Sequence, residues 1–352
     1  MPNSPIPVLL VQNLAADLEI LVRMLTSSPE VKIVGTARNG KEALALIPQV
    51  QPAIVCTDMY MKEMDGLELT KQVMARHARP ILVISASVQK EDTHNISQLL
   101  AAGALDVLPK PKAGLALDYE RTRRELLGKI KVLAGVKVFT KRQQHHTHIG
   151  AKSSPPTTKQ LINVTTAIRV VTIGASTGGP QALHTILTQL PANFPVPIIC
   201  TQHISEGFLQ GFIDWLAPAC KLPVKVAQIN EQPLPGTVYF APERTHLELD
   251  SQGMFTYLRS PPVDGHCPSV TVTFKAVANF YGRATVGVLL TGMGRDGAEG
   301  MRVIAQAGGI TIAQDEKSSV VFGMPMEAIA LGAVQYILPT HEIAPLLLKK
   351  VQ

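Results

Sequence analysis

No pair of cysteines in this sequence is spaced as a metal or redox motif needs. The four present, Cys56, Cys200, Cys220 and Cys267, stand alone, without a C-x-x-C anywhere. That argues against zinc and disulfides and for reduced, buried thiols in a cytosolic protein. Aromatic residues are scarce at 5%, with one tryptophan, Trp215, expected to pack rather than bind. The interleaved bases and aromatics of single-stranded nucleic-acid grooves are missing, so the net charge of +6 favours an acidic partner surface, and no nucleic acid is expected. No apolar run reaches bilayer-spanning length, and the Met-Pro-Asn-Ser-Pro start lacks the basic and apolar regions of a signal peptide. The expectation is a soluble, cytoplasmic chain without membrane insertion.

Charged residues are also sparse, 17% against 46% hydrophobic, which permits a large core and disfavours general disorder. At 352 residues two domains are the natural division. In the first part, apolar strand patterns at Val8–Val11, Val31–Ala37, Ala53–Thr57, Pro80–Ile84 and Asp106–Leu108 alternate with helical spacing at Leu14–Leu25, Gly40–Ile47, Gly66–Arg76, Asp92–Ala102 and Asp118–Leu133. Five such alternations call for an α/β fold with a doubly wound parallel sheet.

Function in such a sheet gathers outside the carboxyl ends of the strands. Asp58, Ser85 and Lys110 fall there, after the third, fourth and fifth strands. Singly they read as a turn cap, a loop hydroxyl and a solvated charge. Together, a carboxylate that attacks and a hydroxyl and an ammonium that bind phosphate oxygens suit acceptance of a phosphoryl group. This part resembles a response-regulator receiver domain: Asp58-Met59-Tyr60-Met61 with Met64-Asp65-Gly66 is similar to the segment around that family's phosphoacceptor, and Leu108-Pro109-Lys110-Pro111 to its lysine loop. The resemblance implies Asp58 as phosphoacceptor, with Ser85 and Lys110 supporting the phosphate. Receivers carry an acidic pair after the first strand that helps hold Mg²⁺; here those positions are the neutral Gln12 and Asn13, and Lys62 replaces a usual proline. Magnesium favours carboxylate oxygens, so Mg²⁺ binding and phosphotransfer are expected to be weakened or absent, and no metal site is assigned.

Residues 135–166 carry bases without acids, the cluster His145, His146 and His148, and Ser153-Ser154-Pro155-Pro156. This reads as a flexible basic linker between a domain at 1–134 and another at 167–352, the histidines solvated rather than metal-bound.

The second domain opens on Val170–Pro180, where an apolar strand gives way to Gly174-Ala-Ser176-Thr-Gly178-Gly179 and then a helix. The spacing fits the Gly-x-Ser-x-Gly elbow of serine hydrolases. The alternative is a glycine-rich turn cradling phosphate on helix N–H groups. Strand Pro197–Thr201 delivers His203, and strand Thr285–Leu290 leads to Thr291-Gly-Met-Gly-Arg-Asp296-Gly297. Thr237–Phe240, His246–Leu249 and Met254–Leu258 read as an antiparallel excursion, and parallel strands resume at Ile310–Ala313 and Val334–Ile337. Helices are expected at Phe208–Leu216, Ser269–Tyr281, Met326–Leu331 and the carboxyl terminus.

Ser176, His203 and Asp296 would thus share one sheet edge. A hydroxyl needs a base to take its proton, an imidazole is the natural base, and a buried carboxylate fixes its tautomer. The order Ser–His–Asp differs from the Ser–Asp–His of α/β-hydrolases. His184, His246 and His266 are competing bases, and Asp296 could instead cap the helix at Gly297. The glycines at 292, 294 and 297 suit a loop offering N–H groups to an oxyanion, with Met293 the candidate donor.

Five blocks carry a second resemblance: Gly174–Gly179, Thr201-Gln-His203, Cys267-Pro-Ser-Val270, Leu290–Gly297 and Val321-Phe-Gly-Met-Pro325 are similar to those of the chemotaxis-type (CheB-type) protein-glutamate methylesterases. The resemblance maps that family's serine, histidine and aspartate onto Ser176, His203 and Asp296. It implies hydrolysis of glutamate methyl esters, and deamidation of glutamines, on the cytoplasmic helices of methylated chemoreceptors. No cofactor is needed for the hydrolysis, and the receiver blocks the catalytic edge until relieved. A chemotaxis-type histidine kinase would be the phosphodonor. The competing expectation is a non-catalytic or non-chemotactic signalling protein that uses its receiver as a phosphate-independent docking module.

Overall fold

A computed structural model describes residues 4–85, 93–111, 116–136, 138 and 167–351, with backbone only at 93–97 and 116–118. Most of the expected linker, with its histidine cluster, lies outside the described residues.

The first part forms β1 (Ile6–Val11), α1 (Ala15–Thr26), β2 (Val31–Ala37), α2 (Gly40–Val50), β3 (Ile54–Thr57), α3 (Gly66–Arg76), β4 (Ile81–Ser85), α4 (Thr93–Ala102), β5 (Asp106–Pro109) and α5 (Ala116–Leu133). The strands pair in parallel in the order β2-β1-β3-β4-β5. Successive strand residues point to opposite faces. Leu9, Val11, Val55, Ile81 and Val83 therefore enter one core layer, and Val8, Leu10, Ile54, Cys56, Leu82 and Ile84 the other. Local chemistry sets the helix starts: Asn39 accepts the Glu42 N–H at 2.9 Å and Asp65 the Glu68 N–H at 2.8 Å, each satisfying a first-turn donor.

The second part comprises β6 (Val170–Ala175), α6 (Gly179–Leu187), β7 (Ile198–Gln202), α7 (Leu209–Leu216), β8 (Val224–Val226), β9 (Val238–Phe240), β10 (His246–Leu249), β11 (Phe255–Leu258), α8 (Val270–Tyr281), β12 (Thr285–Leu289), α9 (Ala298–Gln306), β13 (Ile310–Gln314), α10 (Met324–Ala330), β14 (Tyr336–Leu338) and α11 (Thr340–Val351). Seven strands run parallel in the order β14-β13-β12-β6-β7-β9-β8.

Only β10 and β11 form the antiparallel excursion. The segment at 237–240, expected with them, instead enters the parallel sheet as β9, with β8 beyond it. All three residues of β9 are buried, and a strand apolar on both faces belongs inside a sheet covered on both sides.

The two parts meet along a seam of helices and loops. The Gln181 carboxamide of α6 donates to the carbonyls of Leu100 and Ala104 at 3.4 and 3.0 Å. Phe208, immediately before α7, is fully buried in the first part's core, and Val320 packs against its other layer.

Candidate active site

β12, β6 and β7 are adjacent at the centre of the large sheet, so the loops leaving their carboxyl ends are neighbours. Ser176 follows β6; its N–H donates to the Thr291 carbonyl at 3.0 Å, and its carbonyl accepts from Gly179 N–H at 2.8 Å. The turn needs a left-handed residue, which Gly178 supplies at φ 78°. Across the loop, a Cβ at Gly292 would lie 2.7 Å from the Ser176 Cβ and 2.2 Å from Met324 Sδ, so only glycine lets the Thr291–Gly294 backbone border the serine. Met293 stands on this loop, 42% exposed.

The His203 N–H bonds to the Ala175 carbonyl at 2.9 Å, which places the imidazole beside the serine turn. Its Nε2 lies 2.8 Å from Asp296 Oδ2. Of the candidate bases it is this histidine that meets the acid. His246 instead accepts the Ser269 N–H, His184 stacks on Trp215, and His266 stacks on His203 itself.

Asp296 does not cap the helix that follows it: Gly297 holds the N-cap position of α9, and no side chain caps that end. Asp296 caps α8: Oδ1 accepts from Ser269 Oγ at 2.8 Å and Thr271 N–H at 2.9 Å, and Oδ2 from Val270 N–H at 2.8 Å. Burial alone would push the carboxyl up, but the hydrogen bond and charge of His203 and the Thr271 N–H hold it well below the usual carboxylate range. An ionised acceptor fixes Nε2 as the protonated nitrogen. Nδ1, buried and without a partner, is the nitrogen left to act as base. The Ser176 hydroxyl makes no hydrogen bond to it in this state; such contacts often tighten only with substrate bound.

Gln202 stands in the Thr201-Gln-His203 block but was given no role there; its buried carboxamide donates to the carbonyls of both Ser176 and His203, at 2.9 and 2.7 Å. It ties the two loops together. Ser269, inside one of the five blocks, and His266, among the competing bases, were visible in the sequence, but the roles they take here were not, because their partners lie 27 and 63 residues away in the chain.

At the first sheet's edge, Lys110 Nζ bridges Asp58 Oδ2 at 2.5 Å and Asp17 Oδ2 at 2.7 Å. Asp17, in the first turn of α1, is a second carboxylate that the strand-end pattern does not reveal. Burial pushes the Asp58 carboxyl above its ordinary range although Lys110 draws it down. Burial alone would depress Lys110, but Asp17 and Asp58 together hold its ammonium above the usual value. Gln12 is fully buried with both amide atoms unpartnered, and the buried Ser85 hydroxyl is likewise unpartnered. All four cysteines are free; Cys56 and Cys200 are buried, while Cys220 and Cys267 are only half-buried. Among the described residues no cluster of metal-ligating side chains occurs, and no helix is long and apolar enough to cross a membrane.

The first part covers this site. Thr177, next to Ser176, donates its hydroxyl to Asp106 Oδ2 at 2.9 Å, and Lys129 of α5 pairs with the same oxygen at 2.5 Å. Ser205, two residues after His203, donates to the Val107 carbonyl at 3.1 Å. The Met293 methyl lies 3.6 Å from where a Cβ would stand on Gly128 of α5. Each of the three catalytic-edge loops thus touches β5 or α5.

Residues 171–347 match the CheB methylesterase family and residues 8–117 the response regulator receiver domain. The chain is 40% identical over 346 residues, 98% of either chain, to the protein-glutamate methylesterase/protein-glutamine glutaminase 1 of Syntrophus aciditrophicus. It is 39% identical over 339 residues to the corresponding enzyme of Nitrosospira multiformis, across 96% of this chain and 95% of that one. The crystal structure of the Thermotoga maritima CheB methylesterase catalytic domain superposes with a TM-score of 0.51 at 38% identity, covering 52% of this chain and 99% of that one. With a receiver preceding an esterase domain, and likeness over nearly its whole length, the chain belongs to the CheB methylesterase family.

Proposed function

We propose that this protein is a serine hydrolase that demethylates glutamate methyl esters, and deamidates glutamines, on the cytoplasmic helices of chemoreceptors, in the cytoplasm and under control of its receiver. The observation that carries the reading is the 2.8 Å pair between His203 and the ionised, four-donor Asp296 beside the Ser176 turn. In the proposed reaction Ser176 Oγ attacks the ester carbonyl while His203 Nδ1 takes its proton. The negative oxygen that develops faces the Thr291–Gly294 loop, where the Met293 N–H is the proposed donor. The imidazolium returns its proton to the departing methoxide, methanol leaves, and water attacks the acyl-serine by the same proton path. A glutamine side chain follows the same course with ammonia leaving. Neither course needs a metal or organic cofactor.

The receiver's own chemistry is proposed to differ from its family's. The residues present do not fit a magnesium site: Gln12 and Asn13 are neutral, and Asp58 is already neutralised by Lys110, which Asp17 also holds. Magnesium is a hard cation that seeks carboxylate oxygens. Control is then exerted by release of the receiver from the catalytic edge through partner binding rather than phosphotransfer from a kinase. Acetyl-phosphate labelling separates the two: Asp58 stays unlabelled with or without Mg²⁺ on this reading, and robust Mg²⁺-dependent labelling overturns it. For the hydrolase itself, incubation with methylated receptor helices is expected to release methanol, and with unmodified receptor helices ammonia. Release of neither by the fragment from residue 167 onward would leave the docking-module reading in its place.

A further inference from the structure

His266 has no part in the proton transfers above, yet its ring lies against the base. The His203 and His266 rings are parallel within 6°, with centroids 3.7 Å apart. The loop that presents His266 is built for one position. Val263 and His266 exchange two backbone hydrogen bonds of 3.0 Å across the turn Asp264-Gly265, whose φ values of 51° and 85° are both left-handed. Asp264 in turn lies 3.7 Å from the guanidinium of Arg295, the residue before Asp296. The hairpin is thereby anchored to the loop that carries the acid.

His203 needs such a wall. Its side chain has one hydrogen bond, to Asp296, and Nδ1 has none. A single bond at Nε2 leaves the ring free to swing about that contact, carrying Nδ1 away from the serine. A flat ring at van der Waals distance fixes its plane and keeps water off that face. We propose that His266 is a positioning residue whose neutral imidazole, stacked on His203, holds the base in the plane that aims Nδ1 at Ser176. This rests on the triad reading given above.

The stacked ring stays uncharged in use. The titratable groups acting on it are His203, Asp296 and Lys129 of α5, besides Asp264 and Arg295 of its own anchorage. Burial, His203 and Lys129 lower it to about 4 against the pull of Asp296. A neutral aromatic face tolerates an imidazolium forming above it, whereas a second cation would repel it.

The test is kcat and KM for methanol release by the full-length protein from methylated receptor helices, in His266→Ala, His266→Phe and His266→Gln. His266→Ala and His266→Gln are expected to lose roughly tenfold to a hundredfold in kcat, the scale of a misaimed catalytic group, with KM little changed. His266→Phe restores the flat wall and is expected to return kcat to within about threefold of wild type. His266→Gln, of similar bulk but not aromatic, keeps the comparison decisive if the alanine variant does not fold. Wild-type rates in the non-aromatic variants, a loss that falls on KM rather than kcat, or a phenylalanine variant as slow as they are would overturn the role. Ser176→Ala in the same assay separates the two failures. If it is inactive while His266→Phe is not restored, only the stacking role falls; if it keeps wild-type activity, the triad falls with it.

Discussion

Four donors converge on one carboxylate at Asp296, and three of them come from the start of α8 rather than from the base. That arrangement keeps the acid ionised inside a buried site, so the imidazole keeps one tautomer. Asp296→Asn retains the shape but cannot accept from every donor, and its turnover is expected to drop about 10⁴-fold in methanol release, as in the serine-protease template. An Asn variant within tenfold of wild type would contradict the role. The same cluster shapes stability against pH. His266 titrates near 4 when folded but near its ordinary 6.5 when unfolded. Between those values the unfolded chain binds a proton the folded one does not, so this contribution is lost as pH falls from 6.5 to 4. Chemical denaturation of His266→Phe is therefore expected to show a shallower loss of stability over that window than wild type; parallel curves would contradict it. At this scale the sequence was partly legible. Ser176, His203 and Asp296 stand at strand ends, a position readable from pattern. Gln202, Ser269, His266 and Asp17 act through partners that only tertiary packing supplies.

Elements were legible where they are long and periodic. Strand and helix positions through β5 fall within a few residues of their expected ends, because buried parallel strands read as apolar runs and the helices between them keep one polar face. The exception was β8 and β9, three residues each, too short to show a period; their parallel pairing beside β7 places them in the large sheet, with β9 buried throughout and β8 at the exposed edge. Loop backbones carry the site's tolerances. Gly292→Ala would push a methyl into Met324 and Ser176: the buried methionine would have to repack, and the serine Cβ could yield only by moving its backbone. Its expected cost is about 1–3 kcal/mol in stability together with most of the activity, read by thermal denaturation and methanol release. A variant as stable and active as wild type would show that the loop does not border the serine as described.

Across the whole molecule, the receiver's β5 and α5 press on all three catalytic-edge loops, and Asp106 is the hinge of that contact, shared by Thr177 and Lys129. No pattern in the sequence marks Asp106, since its partners belong to a helix of its own domain and a turn of the other. Asp106→Ala removes a hydrogen bond to a charged group, worth about 1.5 kcal/mol, and roughly tenfold higher basal activity is expected in the full-length protein. Unchanged basal activity would contradict a closed seam. Beneath every one of these expectations lies the assignment of the nucleophile. The most direct measurement is methanol released from methylated receptor helices by the fragment from residue 167 onward, wild type beside Ser176→Ala. Release by the wild type and only background from the alanine variant is the expected result; equal release from both would contradict the account at its centre.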